Sequence, residues 1–105
     1  MSELMITNLE DAPAVPFEFD GRIMYSSGQI EVIHLALKPG ERMESHTQPF
    51  GVIFFVISGN AILDVGRKPV TVIPGTCIHV PAGARRSLGN NGPEEFRVLV
   101  IKDLK

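Results

Sequence analysis

Few side chains in this chain are equipped for chemistry. There are three histidines, His34, His46 and His79, and a single cysteine, Cys77. Histidine is a metal ligand and the residue type whose charge changes near neutral pH, so His46 is a candidate catalytic residue, acting as a general base. There is no Ser-His-Asp arrangement, glycine-rich phosphate loop or CxxC spacing beside it. Alternation along residues 77–80 puts Cys77 and His79 on one strand face and Ile78 and Val80 on the other. The apolar pair is expected to face a core, which turns His79 outward. Cys77 otherwise reads as a small structural hydrophobe. Arg85 and Arg86 are adjacent, so only one of them is expected to point inward. An inward guanidinium offers a two-pronged donor for a carboxylate or phosphate.

A chain of 105 residues with 44% hydrophobic residues fits one domain with its own core. The net charge is −2 and the charges are scattered, with no basic block, so nucleic acid is not an expected partner. The longest apolar run, residues 52–57, falls far short of the roughly 20 residues of a membrane helix, and no membrane partner is expected. The first residues lack the pattern of a secretory signal. A lone cysteine fits a reducing compartment, and a cytoplasmic location is expected.

Eight prolines and ten glycines cut the chain into short apolar pieces. Turn signals at such spacing predict an all-β sandwich or barrel. Residues 4–7 are a candidate strand for pairing with a second subunit, and 12–16 read as a linker. Residues 17–19 alternate, Asp20-Gly21 has the form of a hairpin turn, and 22–25 would be its second strand. The longest strand candidate is 29–38, with Ile33, Leu35 and Leu37 on one face and Val32, His34 and Ala36 on the other. Residues 42–46 follow. Residues 52–58 are apolar on both faces and read as a strand buried on both sides, with Val52, Phe54, Val56 and Ser58 sharing a face. Further strands are expected over 61–65, 68–73, 76–80, 86–88 and 95–101. About ten short antiparallel strands hide their edges best in a closed or double-sheet jelly roll.

Two stretches share one plan, a Pro-Gly turn followed by short strands. In the first, Gly40, His46, Gln48, Val52 and Gly59 stand at fixed spacing; in the second, Gly75, Pro81, Gly83, Arg86 and Asn90 do. This pattern resembles the two motifs of the cupin family over roughly residues 29–102. The resemblance implies a double-stranded β-helix, or jelly-roll barrel, filling a single domain 1–105, with 1–16 as arm and linker and 29–102 as barrel core. In metal-binding cupins two His and a Glu of the first motif and a His of the second hold one metal ion. Here those positions carry His46, Gln48, Val52 and Arg86. Only His46 is kept, Gln48 is a weak donor, Val52 has none, and Arg86 is a permanent cation. No cofactor is therefore expected.

The altered positions suggest an apolar cavity with a fixed positive charge. The expected role is metal-independent binding of a small, partly apolar, anionic molecule by His46, Gln48, Val52, Phe54 and Arg86, with weak acid–base chemistry by His46. One alternative is a metalloenzyme, an oxygenase or isomerase, holding one divalent transition metal through a rearranged set of His46, Gln48 and His34. Another is a non-catalytic structural or regulatory module. Small cupins are commonly homodimers, so the resemblance implies a homodimer. The inward or outward directions of His34, His79 and Arg86 are left open at this stage.

Overall fold

A computed structural model describes residues 3–16, 19–66 and 68–105. Among these residues the chain forms nine strands and one short 3-10 turn, Leu9–Asp11. The strands are β1 (Asp20–Ser26), β2 (Ile30–Leu37), β3 (Arg42–His46), β4 (Gly51–Ser58), β5 (Ala61–Asp64), β6 (Pro69–Val72), β7 (Cys77–Val80), β8 (Arg86–Gly89) and β9 (Phe96–Asp103). They build two antiparallel sheets. One has five strands in the order β1-β2-β9-β4-β7, the other four in the order β3-β8-β5-β6. This is the jelly-roll arrangement expected from the turn spacing.

The core lies between the sheets. Period-two alternation sends Ile33, Leu35 and Leu37 of β2 inward with Val52, Phe54 and Val56 of β4 and Phe96, Val98 and Val100 of β9. Leu63, Val72 and Leu88 meet them from the four-stranded sheet. Removing a buried ring such as Phe54 costs about 3–5 kcal/mol in a core of this kind. Strand β4 differs from expectation. It is not buried on both faces, because Phe55 and Ile57 remain 40% and 41% exposed on the outer side of the five-stranded sheet.

Several local expectations are corrected. Asp20-Gly21 is no hairpin turn; both residues lie in β1 and pair with Ala36 and Leu35. The strand proposed for 17–19 rests on Phe17 and Glu18, which fall outside the described residues. Residues 4–7 form no strand, and Leu4, Met5 and Ile6 are exposed. Residues 12–16 are more than a linker. They lie along β1 as a strap, with Ala14 bridged to Arg22. The Val15 N–H donates to the Gly21 carbonyl at 2.8 Å, and the Arg22 guanidinium donates to the Ala12 carbonyl at 3.0 Å. Gly21 makes this fit possible, since a Cβ there would stand 2.5 Å from a Val15 methyl. Cys77 is exposed rather than buried, because it shares the outer face with Phe55.

The two motifs meet at Asn90, which is 2% exposed. Its side-chain amide donates to the carbonyls of Leu37 and Glu94, both at 2.8 Å, and accepts the Gly92 N–H at 3.0 Å. Its backbone exchanges bonds with the turn before β3: the Gly40 N–H donates to the Asn90 carbonyl and the Asn90 N–H to the Glu41 carbonyl. Gly40 takes φ 90° in this turn, a conformation that a side chain disfavours. Gly59 also has positive φ, and a Cβ there would collide with the Glu95 carbonyl oxygen.

His34 lies on the outer face of β2, opposite Arg22 and Leu99. Partial burial lowers its pKa below the ordinary histidine value, and the Arg97 charge adds to this against smaller opposing effects from Asp20, its own backbone hydrogen bond and Glu95.

Two outcomes are expected. Asn90→Ala strips donors from two carbonyls, so chemical denaturation should register a loss of about 1–3 kcal/mol. Asn90→Asp should not restore it, because a carboxylate cannot donate. For His34, the unfolded chain holds its proton more tightly than the folded one. Its contribution to stability is therefore complete above the unfolded pKa and lost as pH falls toward the lowered folded value. Denaturation of wild type and His34→Gln between about pH 7.5 and 5 should show the wild type losing more stability on acidification. An NMR titration midpoint for His34 at or above that of a free histidine would contradict this.

Candidate anion-binding cavity

A cavity of about 850 Å³ opens between the sheets under the strap. Its size lies within the usual range for small-molecule sites. The five-stranded sheet contributes Ile33 and Leu35 of β2, Phe54 of β4 and Val100 of β9. Val15, Pro16 and Phe19 extend this apolar surface. From the other sheet come residues of β3 and Arg86 of β8, followed by Gln48.

Arg86 is the unusual member. It is 2% exposed, and its Nε and one terminal nitrogen, both shielded from solvent, have no hydrogen-bond partner among the described residues. Burial lowers its pKa below the ordinary arginine value, although a guanidinium stays charged under any physiological condition. Arg85, one residue earlier, is exposed and donates to the Ser45 hydroxyl at 3.4 Å, so the two arginines do take opposite sides. The cavity holds two other full cations. Arg42 stands 3.8 Å from Glu44 and donates to Ser87; Lys102 is 3.4 Å from Glu31 and 5.9 Å from the centre of the Phe50 ring. Arg86 has no carboxylate within ion-pair distance among the described residues.

His46 sits directly across from Arg86 in the β3–β8 ladder, and both line the cavity. A β-bulge makes this possible. Met43 pairs with Leu88 and His46 with Arg86, so β3 carries one more residue than β8 between these pairs. In a regular strand Met43 and His46 would face opposite sides. The bulge had no sequence signature to find it by. The His46 Nδ1 lies 2.9 Å from the Glu44 carbonyl oxygen. A carbonyl only accepts, so Nδ1 donates and Nε2 is the nitrogen left for a bound molecule.

The structure thus brings His46, Gln48, Phe54 and Arg86 to one cavity. It does not bring Val52, which is fully buried in the core and forms no part of the cavity wall. Phe54 lines the cavity. His34 is on the far face of β2, so His46, Gln48 and His34 do not assemble. His79 pairs with Ile53 on the outer face of the five-stranded sheet. No group of three or more His, Cys, Asp or Glu among the described residues is placed to share a metal. The donors at the family's metal positions do not fit a metal ion either: Val52 has no ligating atom, and Arg86 puts an uncompensated guanidinium beside His46. The strap was the missed component, since nothing in residues 12–16 announces a cavity wall.

No helix among the described residues is long and apolar enough to cross a membrane. Solved structures share the architecture. A protein with a double-stranded β-helix domain from Klebsiella pneumoniae is 22% identical, with a TM-score of 0.81 over 96% of this chain and 90% of that one. A predicted oxalate decarboxylase from Thermotoga maritima is 15% identical, with a TM-score of 0.88 over 96% of this chain and all of that one. The polyketide cyclase RemF from Streptomyces resistomycificus is also 15% identical, with a TM-score of 0.86 over 98% and 81%. At such identity these likenesses speak for the fold alone. An uncharacterized protein of Streptomyces coelicolor is 37% identical over 49 residues, which is 47% of this chain and less than half, 46%, of that relative's length. The cupin domain family matches residues 33–102, which span both motifs and most of the barrel, and the chain belongs to that family.

Proposed function

We propose that the protein binds a small, partly apolar, anionic molecule between its sheets without a metal ion. One observation carries this reading: the buried guanidinium of Arg86, with two nitrogens unpartnered, at the wall of an open cavity. An unpaired buried charge costs stability, and such groups are ordinarily hydrogen-bonded. A carboxylate or phosphate accepting from Arg86 would supply the missing partner with bidentate geometry. The neighbouring charges favour the same sign of ligand. Among the described residues of the lining, Arg42, Arg86 and Lys102 outnumber Glu44, in a chain whose net charge is −2. His46 supplies Nε2 to the same anion as a hydrogen-bonding group and as an acid–base group of modest power, since no carboxylate among the described residues orients its ring. The cavity is open rather than packed shut, which speaks against a purely structural module.

Thermal-shift and calorimetric titrations with small carboxylates and inorganic phosphate test the reading. A bound anion present at about 100 times its Kd should stabilise the protein by about 2.7 kcal/mol. Arg86→Met should abolish that response. The same substitution should stabilise the unliganded protein by about 1–3 kcal/mol, because it removes a desolvated group that has no partner. If no anion stabilises the wild type, and Arg86→Met leaves unliganded stability unchanged or lower, the proposal is wrong.

A further inference from the structure

The cavity has two chemically different walls. The five-stranded sheet and the strap present an apolar surface, made of Ile33, Leu35, Phe54 and Val100 with Val15 and Phe19. Lys102 is the cation on that side, and it is engaged by Glu31 and the Phe50 ring. The opposite wall, built from β3, β8 and Gln48, is polar along its length, with Met43 as its one apolar member among the described residues. Arg86 and His46 are cross-strand neighbours on it, with Ser45 and Gln48 close by in sequence.

This sidedness selects among anions. An alkyl carboxylate is polar at one end only. With its head on Arg86, its methylenes would cover His46 Nε2 and Gln48 and strip them of water without a partner, at a cost in affinity. A rigid ring behaves differently. It presents a polar edge and an apolar edge on opposite sides at fixed separation, with little conformational freedom to lose on binding. From this two-walled geometry we infer that the ligand is a ring carboxylate bearing a hydroxyl on the same edge as the carboxylate. The carboxylate accepts from Arg86. The hydroxyl exchanges hydrogen bonds with His46 Nε2 or Gln48. The opposite ring edge lies against Ile33, Leu35, Phe54 and Val100. The inference rests on the anion-binding reading and specifies the class of molecule.

Isothermal titration with four probes tests it: hexanoate, benzoate, 2-hydroxybenzoate and 3-hydroxybenzoate. The tighter hydroxybenzoate should exceed benzoate by roughly five- to tenfold, the yield of about one net hydrogen bond, and hexanoate should be weaker than benzoate. His46→Phe or Gln48→Met should erase the hydroxyl gain, so that within each variant the hydroxybenzoates bind no more tightly than benzoate. Methyl resonances of Ile33, Leu35 and Val100 should show ring-current shifts with the aromatic probes only. If neither hydroxybenzoate binds more tightly than both benzoate and hexanoate, or if both substitutions leave the gain intact, the ring-edge inference falls while Arg86-dependent anion binding stands. If none of the four binds in an Arg86-dependent way, the ring-edge inference falls, and anion binding falls with it if inorganic phosphate also fails to stabilise the wild type and Arg86→Met does not raise unliganded stability. Should a variant fail to fold, the ranking of the four probes on the wild type decides alone.

Discussion

The pairing of β3 with β8 begins at a knot of hydrogen bonds around Asn90, and the cavity depends on where that pairing begins. Backbone bonds between Asn90 and the turn at Gly40 and Glu41 put Arg42 opposite Gly89. The Asn90 side chain ties the same point to the end of β2 and to the Glu94 carbonyl. The end of β2, the turn before β3, the end of β8 and the segment at Gly92 and Glu94 are thereby held by the backbone and side chain of one buried residue. From this start the ladder runs to Met43 and Leu88, takes its bulge, and resumes with His46 opposite Arg86. A slip of one residue would exchange the faces of β3 and carry His46 out of the cavity. The motif asparagine lines no part of the cavity, yet it sets the register on which the placement of His46 opposite Arg86 depends.

Energetically, Arg86 stands apart from the other charges. Exposed pairs such as Arg22–Asp20 and Arg97–Glu95 contribute little in either direction. Arg86 has been moved out of water without compensation from the protein, beneath a strap and between two sheets. A barrel with this many buried aliphatic and aromatic contacts tolerates one such group, and functional sites are where local rules of stability are commonly broken. The consequence is directional: whatever neutralises Arg86 stabilises the fold, so ligand affinity and folding stability are linked through one side chain.

How much of this was legible in the residues depends on which kind of signal each feature leaves. Glycine and proline act locally, so the turns around Gly40, Gly59, Gly75 and Gly83 could be placed, and with them the strands and the jelly roll. Alternation grouped Ile33, Leu35 and Leu37 on one face of β2 and Val52, Phe54 and Val56 on one face of β4, but it left open which face of β2 looks inward and could not say where the closed core ends and the cavity begins. Val52 and Phe54 look alike in sequence, yet Val52 lies wholly within the core and Phe54 reaches the cavity. The bulge in β3 leaves no mark, because an extra residue in a strand is a property of the pair of strands. The strap is a similar case. Its place on β1 depends on a missing side chain at Gly21, six residues beyond Val15 and within β1 itself, and Asp20-Gly21 has the look of a turn instead. The adjacent arginines were a half-legible case: alternation required one in and one out, and only the register with β3 says which.

The exchange at the second motif clarifies what kind of site remains. In the family's metal-binding members, four side chains converge on a mobile cation, which then faces the ligand. Here one of those positions carries a cation attached to the chain, and another carries a valine that has joined the core. A guanidinium differs from a metal ion in having no open coordination positions; it offers a plane of donors with a fixed direction. Recognition by such a group is orientational, favouring a flat carboxylate held in its plane over a chelating ligand. His46, the retained histidine, loses its partners in ligation but keeps its position across the ladder from the charge. Its tautomer is set by the Glu44 carbonyl, so its free nitrogen and the Arg86 fork act on the same wall. The motif positions that still meet at the cavity, His46, Gln48 and Arg86, present hydrogen-bonding groups and a fixed charge in place of a metal-ligand set.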